Sequence, residues 1–513
     1  MVFEKRKNIE RSTNHETKEG KKVSHIVKFL DLPFEAEKDF CLLKDKEKSY
    51  SYNTFMKKAV AAACSLEERN LWGKAIAVKA AHNADTIVAF LGILLSGNYY
   101  VPVSDEAPEN FVNKLRQQAD FVEDWEFAQE EKEVDIEDYN RLLHKLDLIS
   151  EDDPMYLIFT SGSTGTPKGI MKSHRNMVSF LQAYKEEFQF GREHILGNQT
   201  PFYFDASAKD IYISLYCKCR MVILDSQLFM KPKELIAYMN EEKINRIQWV
   251  PSALSIVSVV GTFQLIKPAY LQQVYFVGEV FPVKQLLQWM EALPQTEFIN
   301  LYGSSEMAGI CAFSRLSYEE IKEKEVIPIG KPLGNSEIFL IDEKGAMINE
   351  AGVTGEIYVA SKAIASGYYK NTEKSEAAFV SCAFGDSKSG NYYRTGDLAQ
   401  WDEQGRLCFV SRQDDQIKHM GHRIELGEIE TAAMEIESVE EACCLFSGGK
   451  IILCITGETD KAYTTRQLKE KIPDYMMPNR IQVLEKIPRN RNGKKDKVKL
   501  VELVGGRRKT WKK

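Results

Sequence analysis

The sequence predicts an α/β protein: a large N-terminal domain of layered α/β sheets with a β-rich subdomain, then a small α+β C-terminal domain. Three observations lead there. The chain has 513 residues, too many for one compact core. From Ala75 onward, short apolar runs alternate with amphipathic segments, the pattern of strands and the helices that cover them. After Gly330 the pattern changes to short β-like runs between turn pairs.

Ala75-Ile76-Ala77-Val78 is the first clear strand. Thr86 to Leu95 is almost wholly apolar and reads as a buried helix, with Val101-Pro102-Val103 as the next strand. Met221-Val222-Ile223-Leu224 and Ile247-Gln248-Trp249-Val250 repeat the strand signal. In the β-rich part, Glu343-Lys344-Gly345 and Asn349-Glu350-Ala351-Gly352 are turns, and Glu356-Ile357-Tyr358-Val359 is a strand. Strand-like Leu407-Cys408-Phe409-Val410 ends at polar Arg412-Gln413-Asp414-Asp415. The domain boundary is expected there, with 25–412 forming the N-terminal domain and 413–513 the C-terminal one. Residues 1–24 are polar and rich in Lys and Glu, read as a disordered tail without the apolar core of a secretion signal.

Composition narrows the function classes. Hydrophobic content of 44% and charged content of 28% are those of a soluble globular protein. A formal net charge of −6 gives no reason to expect nucleic acid. The basic run Arg507-Arg508-Lys509-Thr510-Trp511-Lys512-Lys513 reads as a solvated tail. No apolar run reaches about 18 residues, so no membrane contact is expected. Ten cysteines without a Cys-x-x-Cys pair suggest reduced, buried thiols and a cytoplasmic setting.

The chemistry is concentrated in loops. An apolar strand, Tyr156-Leu157-Ile158-Phe159, runs into Thr160-Ser161-Gly162-Ser163-Thr164-Gly165-Thr166-Pro167-Lys168-Gly169. Such a loop offers hydroxyls, backbone N–H groups and one cation, which suits a polyphosphate. Its spacing is not that of a Walker loop. Further Gly-punctuated motifs follow in order: Phe204-Asp205-Ala206-Ser207, Asn300-Leu301-Tyr302-Gly303-Ser304-Ser305-Glu306, Gly330-Lys331-Pro332 and Tyr393-Arg394-Thr395-Gly396-Asp397-Leu398. Last come Arg412-Gln413-Asp414-Asp415-Gln416-Ile417-Lys418, Gly421-His422-Arg423-Ile424-Glu425 and Asn492-Gly493-Lys494. Any one of these is an ordinary surface turn; the ordered set is not a coincidence.

The set resembles the motifs of the adenylate-forming superfamily, which includes acyl-CoA synthetases, luciferases and the adenylation domains of nonribosomal peptide synthetases. The resemblance covers roughly Tyr50 to Lys499. It implies ATP and Mg²⁺ as cofactors and a mobile C-terminal domain. Thr160, Ser161, Gly162, Ser163, Thr164, Gly165 and Lys168 would hold phosphates. Gly278 and Glu279 would meet the adenine edge, with Tyr302 on its face. Asn300, Gly303 and Ser305 would complete the nucleotide loop, and Asp397 and Arg412 would hold the ribose. Glu306 would bind the metal, because a lone carboxylate suits an oxygen-preferring Mg²⁺. Asp414 would be the hinge. Lys494 would be the catalytic cation, stabilising charge that develops on the α-phosphate; Lys495 directly follows it.

Asp205 selects the subfamily. In amino-acid-activating members the matching Asp holds the substrate's α-ammonium, and the apolar Phe202-Tyr203-Phe204 before it implies partial burial. The competing reading is an internal ion pair with Lys209, four residues on along a helix. By the same resemblance the substrate pocket comprises Asp205, Ala206, Lys209, Gln248, Tyr275, Val277, Leu301, Gly309 and Ile310. A cation and an amide there suit a polar substrate side chain such as glutamate or glutamine, unless Lys209 pairs internally or reaches solvent.

No carrier-domain motif follows Lys494, so the expected partner is a phosphopantetheinylated carrier protein supplied in trans, the layout of D-alanine–carrier-protein ligases. The expected function is ATP-dependent activation of an amino acid and its transfer to that carrier. Two alternatives stay open: an acyl- or aryl-CoA synthetase of the same fold, and a non-catalytic nucleotide-binding protein. Val410-Ser411 before Arg412 and His419-Met420 after Lys418 depart from the family pattern near the hinge. They bear on the acceptor more than on adenylation.

Overall fold

The computed structural model describes residues 25–123, 132–160, 167–334, 336–382, 390–489 and 495–504. Among these, the strands form five sheets. One runs in the order Lys331–Pro332, Ala312–Leu316, Glu297–Tyr302, Gln273–Val277, Arg246–Trp249, Ile195–Asn198, Arg220–Ile223, Cys41–Lys44, Ser49–Ser51. Its middle pairings, from Glu297–Tyr302 to Cys41–Lys44, are parallel. A second sheet runs Val122–Glu123, Ala75–Lys79, Tyr99–Val103, Pro154–Thr160, Lys168–Ser173. The predicted strands are all present, displaced by a residue or two. Arg246–Trp249, for example, stops before Val250 because Pro251 opens the next helix.

The buried helix Ala84–Leu95 starts two residues earlier than the apolar run suggests, because Asn83 caps it by accepting from Thr86 N. It packs against Tyr52–Glu68. At their crossing a Cβ on Gly92 would lie 2.7 Å from the Ala62 Cβ, so only glycine permits that approach. The largest apolar core gathers residues of both sheets and the helices between them, including Phe90, Tyr100, Tyr156, Ile170, Tyr184, Tyr212 and Tyr275.

The β-rich part is antiparallel: Met347–Ile348, Glu337–Ile341, Thr354–Ala360, Gly390–Trp401 and Phe379–Cys382, with Leu407–Arg412 also on Gly390–Trp401. Asp397 pairs with Arg412 in that register. The chain then makes the hairpin of Gln416–His419 and His422–Glu425. A small three-stranded sheet follows, Glu441–Ser447, Lys450–Thr456 and Arg480–Val483. The helix Leu426–Met434 lays Leu426, Ile429, Ala432 and Ala433 onto a separate core with Leu453, Ile455, Leu468 and Met476. Burying a side chain such as Ile429 contributes about 1.5–3 kcal/mol, and this core makes the small domain a unit of its own.

Candidate active site

The site lies where three of these layers meet. A cleft of about 1070 Å³ is lined by Lys168, Tyr368, Thr395, Gly396, Arg412 and Arg423, among others. Lys168 opens the strand Lys168–Ser173; Thr395 and Gly396 lie in Gly390–Trp401; Arg423 comes from the hairpin.

At the expected ribose position, the Asp397 carboxylate is almost fully buried and both oxygens are engaged. Tyr302 Oη donates to Oδ2 at 2.5 Å, and Arg412 Nη1 pairs with Oδ1. Arg412 also forks onto Asp414, Nε to Oδ1 at 2.7 Å and Nη2 to Oδ2 at 2.8 Å. The expected hinge residue is thus tied to the arginine expected at the ribose. Tyr302 itself is buried, with the Lys418 ammonium 5.6 Å from its ring centre.

Glu306, the expected metal ligand, is completely buried. Arg423 Nη1 lies 2.6 Å from Oε2, and Tyr368 Oη donates to Oε1 at 2.9 Å. Lys168 Nζ is 3.4 Å from Oε1. Burial alone would raise this carboxyl, but Arg423 and Lys168 outweigh it and hold it well below the usual carboxylate range. Burial, reinforced by Arg423, lowers the Lys168 ammonium to about 8. Among the described residues no cluster of three or more His, Cys, Asp or Glu side chains is arranged to hold a metal. In this arrangement both oxygens of the expected metal ligand are engaged, Oε2 by Arg423 and Oε1 by Tyr368.

Glu279, expected at the adenine edge, is not free either. It accepts from Ser252 N at 2.9 Å and from Gly421 N at 2.8 Å, the latter across the domain boundary. Gly421 has φ +82°, and a Cβ there would lie 2.8 Å from Val250 Cγ1. Beside it the His422 ring meets Phe204 edge-on at 4.2 Å and stacks on Tyr475 at 4.2 Å. The hairpin is therefore seated on the large domain by hydrogen bond, ion pair and ring contact. Among the described residues Thr160 Oγ1 is buried without a hydrogen-bond partner, at the start of the expected phosphate loop. Asn300 donates to Pro328 O at 2.9 Å, and Gly303 and Ser305 follow its strand toward Glu306. Ser161, Gly162, Ser163, Thr164, Gly165 and Lys494 lie outside the described residues. Lys495, next to Lys494, bonds Glu430 Oε2 and Ala442 O, both at 2.6 Å.

Sheet register gathers much of the expected substrate pocket. Gln248 pairs with Tyr275, and Val277 with Leu301. Tyr275 and Val277, two apart, share a face, so these four side chains project to one side. Gly309 has φ +95° beside Phe180, and Ile310 is buried. Asp205 opens the helix Asp205–Cys217, with Ala206 half-exposed beside it.

The Asp205–Lys209 pair, the competing reading, does not form. Lys209 Nζ lies 2.6 Å from Asp210 Oδ1, and Asp210 also accepts from Asn198 Nδ2 at 2.8 Å. Both charges are buried and satisfied, so Lys209 gives no ground for a polar substrate side chain. Asp205 instead accepts from Tyr156 Oη at 2.8 Å and lies 3.8 Å from Lys172 Nζ. Burial raises its carboxyl to about 6, against the opposing pull of Lys172 and Tyr156. Sequence reading missed Lys172 and gave Arg423 and Tyr156 no role. One signal was available: Lys172 shares strand parity with inward-facing Ile170, so its charge had to point into the protein.

Comparison with known proteins follows the same lines. The family described as AMP-binding enzyme matches residues 110–369, and its C-terminal domain matches 428–494. Surfactin synthase subunit 1 of Bacillus subtilis is 28% identical over 517 residues, covering 94% of this chain and 14% of that protein. The chain therefore spans about a seventh of that relative's length. An L-proline–[L-prolyl-carrier protein] ligase of Streptomyces coelicolor is 31% identical over 358 residues, covering 68% of this chain and 66% of the relative. An NRPS protein containing adenylation and PCP domains superposes with a TM-score of 0.78 at 22% identity, covering 94% of this chain and 84% of that chain. The Vibrio cholerae adenylation domain AlmE, solved with glycyl-adenosine-5'-phosphate, gives 0.77 at 20% identity, covering 94% and 97%. No described helix is long and apolar enough to cross a membrane.

Proposed function

Since the chain belongs to the AMP-binding enzyme family, we propose that it activates an amino acid with Mg–ATP and passes the aminoacyl group to the phosphopantetheine thiol of a separate carrier protein. The observation that carries the amino acid reading is Asp205. Its carboxylate is buried and accepts from Tyr156 on Oδ1, and among the described residues no hydrogen bond reaches Oδ2. A substrate ammonium would meet that oxygen. In the first half-reaction the substrate carboxylate attacks the α-phosphate, giving an aminoacyl-adenylate and pyrophosphate. Tyr302, Asp397 and Arg412 would hold the nucleoside, and Lys168 the phosphates. Lys494 would stabilise the charge that develops in the transition state. Magnesium would shield the polyphosphate, with Glu306 as its protein ligand.

Two arrangements of the small domain follow from this reading. With Arg423 on Glu306, the metal position is already neutralised, so the seated hairpin suits the second half-reaction, after Mg–pyrophosphate has left. Rotation about Asp414 would lift Arg423 and bring in Lys494. The test is ATP–pyrophosphate exchange across proteinogenic amino acids, D-alanine, β-amino acids and aryl acids, followed by loading of a phosphopantetheinylated carrier. Exchange with some amino acid and transfer to the carrier but not to free CoA supports the proposal. One observation favours a second reading, an acyl- or aryl-CoA synthetase: Lys172 already stands beside Asp205 where a substrate amine would. Turnover of an acid without an amine, with free CoA as acceptor, selects that reading.

A further inference from the structure

Lys172 is a charged side chain with no exposure at all. Among the described residues its Nζ makes no hydrogen bond, and Asp205 Oδ1 at 3.8 Å is too far to accept one. An ammonium carries three donors, and leaving all three unmet in the interior is costly. Its direction is fixed by the strand. Lys168, Ile170 and Lys172 share one face of Lys168–Ser173, and Lys168 lines the cleft. Lys172 therefore faces the same side, about 13 Å further along at roughly 3.3 Å per residue. A second donor is in the same condition: Gln248 Nε2 is buried and unpartnered, while Gln248 Oε1 accepts from Tyr184 Oη at 2.6 Å. A bound ammonium on Asp205 would add a positive charge beside Lys172. The two are compatible when the ligand also brings an acceptor.

Resting on the amino acid reading above, we propose that Lys172 is a specificity-determining residue, and that the substrate is an amino acid whose side chain presents a carboxylate or carbonyl oxygen to it. Asp205 takes the ammonium, and Lys172 takes the side-chain oxygen. The Lys172–Asp205 pair thus selects a ligand bearing both a positive and an acceptor group, and disfavours aliphatic and aromatic amino acids.

The experiment is ATP–pyrophosphate exchange at saturating Mg–ATP with wild type, Lys172→Met and Lys172→Arg. Substrates are compared as near-isosteric sets: aspartate, asparagine and leucine; glutamate, glutamine and methionine; and the des-amino acids succinate and glutarate. Wild type is expected to prefer an acceptor-bearing amino acid. In Lys172→Met its kcat/KM falls roughly tenfold to a hundredfold, the usual range for a hydrogen bond to a charged group. The apolar isostere gains, and the KM for ATP stays within a few fold. Lys172→Arg keeps a donor and recovers part of the preference, a result that a purely structural lysine would not give. If Lys172→Met fails to fold by thermal melting, the wild-type and Lys172→Arg rankings still decide. An apolar amino acid preferred by wild type, or an unchanged ratio in the variants, overturns this inference alone. Exchange with succinate or glutarate and with no amino acid overturns both it and the amino acid reading.

Discussion

Asp205→Asn is the most informative single change, because its carboxylate faces both Lys172 and the proposed substrate amine. At 3.8 Å and an effective dielectric of about 20, the attraction between Asp205 and Lys172 is about 4 kcal/mol. Burial outweighs that attraction and raises the Asp205 carboxyl to about 6, so above that pH the charge is held at a net cost to the fold. Asn keeps the shape and an acceptor for Tyr156 Oη, so the loss reports the charge. Asp205→Asn is therefore expected to keep or raise unfolding stability at pH 7 and to raise the amino acid KM roughly a hundredfold or more, because the substrate ammonium loses its charge partner. Adding Lys172→Met separates the two effects. With both charges gone the stability stays close to or above that of wild type, because a buried pair replaced by apolar atoms is often neutral or stabilising. The lost amino acid affinity does not return. Urea titration gives the first quantity and ATP–pyrophosphate exchange the second. A single variant several kcal/mol less stable than wild type at pH 7, or a double variant that regains exchange, would refute the reasoning.

Three further outcomes are expected. Lys494→Ala reduces adenylate formation roughly a hundredfold or more while leaving thioester formation from supplied adenylate largely intact; near-normal exchange would pass the role to Lys495 or remove it. Gly421→Ala introduces a Cβ at φ +82° that would press on Val250, so it should unseat the hairpin. Carrier loading then drops at least tenfold while exchange holds within a few fold, and equal losses in both would contradict the two-arrangement reading. The pH profile follows from Asp205, raised by burial to about 6 and faced by Tyr156, Lys172 and Glu306. An ammonium needs the ionised form, so kcat/KM for the amino acid is flat above about pH 6 and falls about tenfold per unit below it, and Asp205→Asn lacks that limb. Stability runs the other way. The folded value lies above the unfolded 3.8, so this group's contribution is full below pH 3.8 and is lost as pH rises through about 6.

The sequence by itself determined the layered α/β fold, the strands at Ala75, Val101, Ile247 and Glu356, and the ordered loops that place the chain in its family. Those features are local. A strand's alternation, a cap such as Asn83 or a Gly-rich turn is written in neighbouring residues. Only the tertiary structure decided which charge meets which. Lys209 is four residues from Asp205 along one helix, yet it turns to Asp210, its neighbour, because Asn198 completes that buried group from another strand. Asp205 meets Lys172 and Tyr156 instead, residues brought to it from a different sheet. Arg423 reaches Glu306 across more than a hundred residues of chain because a small domain with its own core seats a hairpin on a larger one. Periodicity reports the side of an element on which a group lies. The partner it finds there is set by how separate elements pack, and with buried charges that choice fixes what the site can bind.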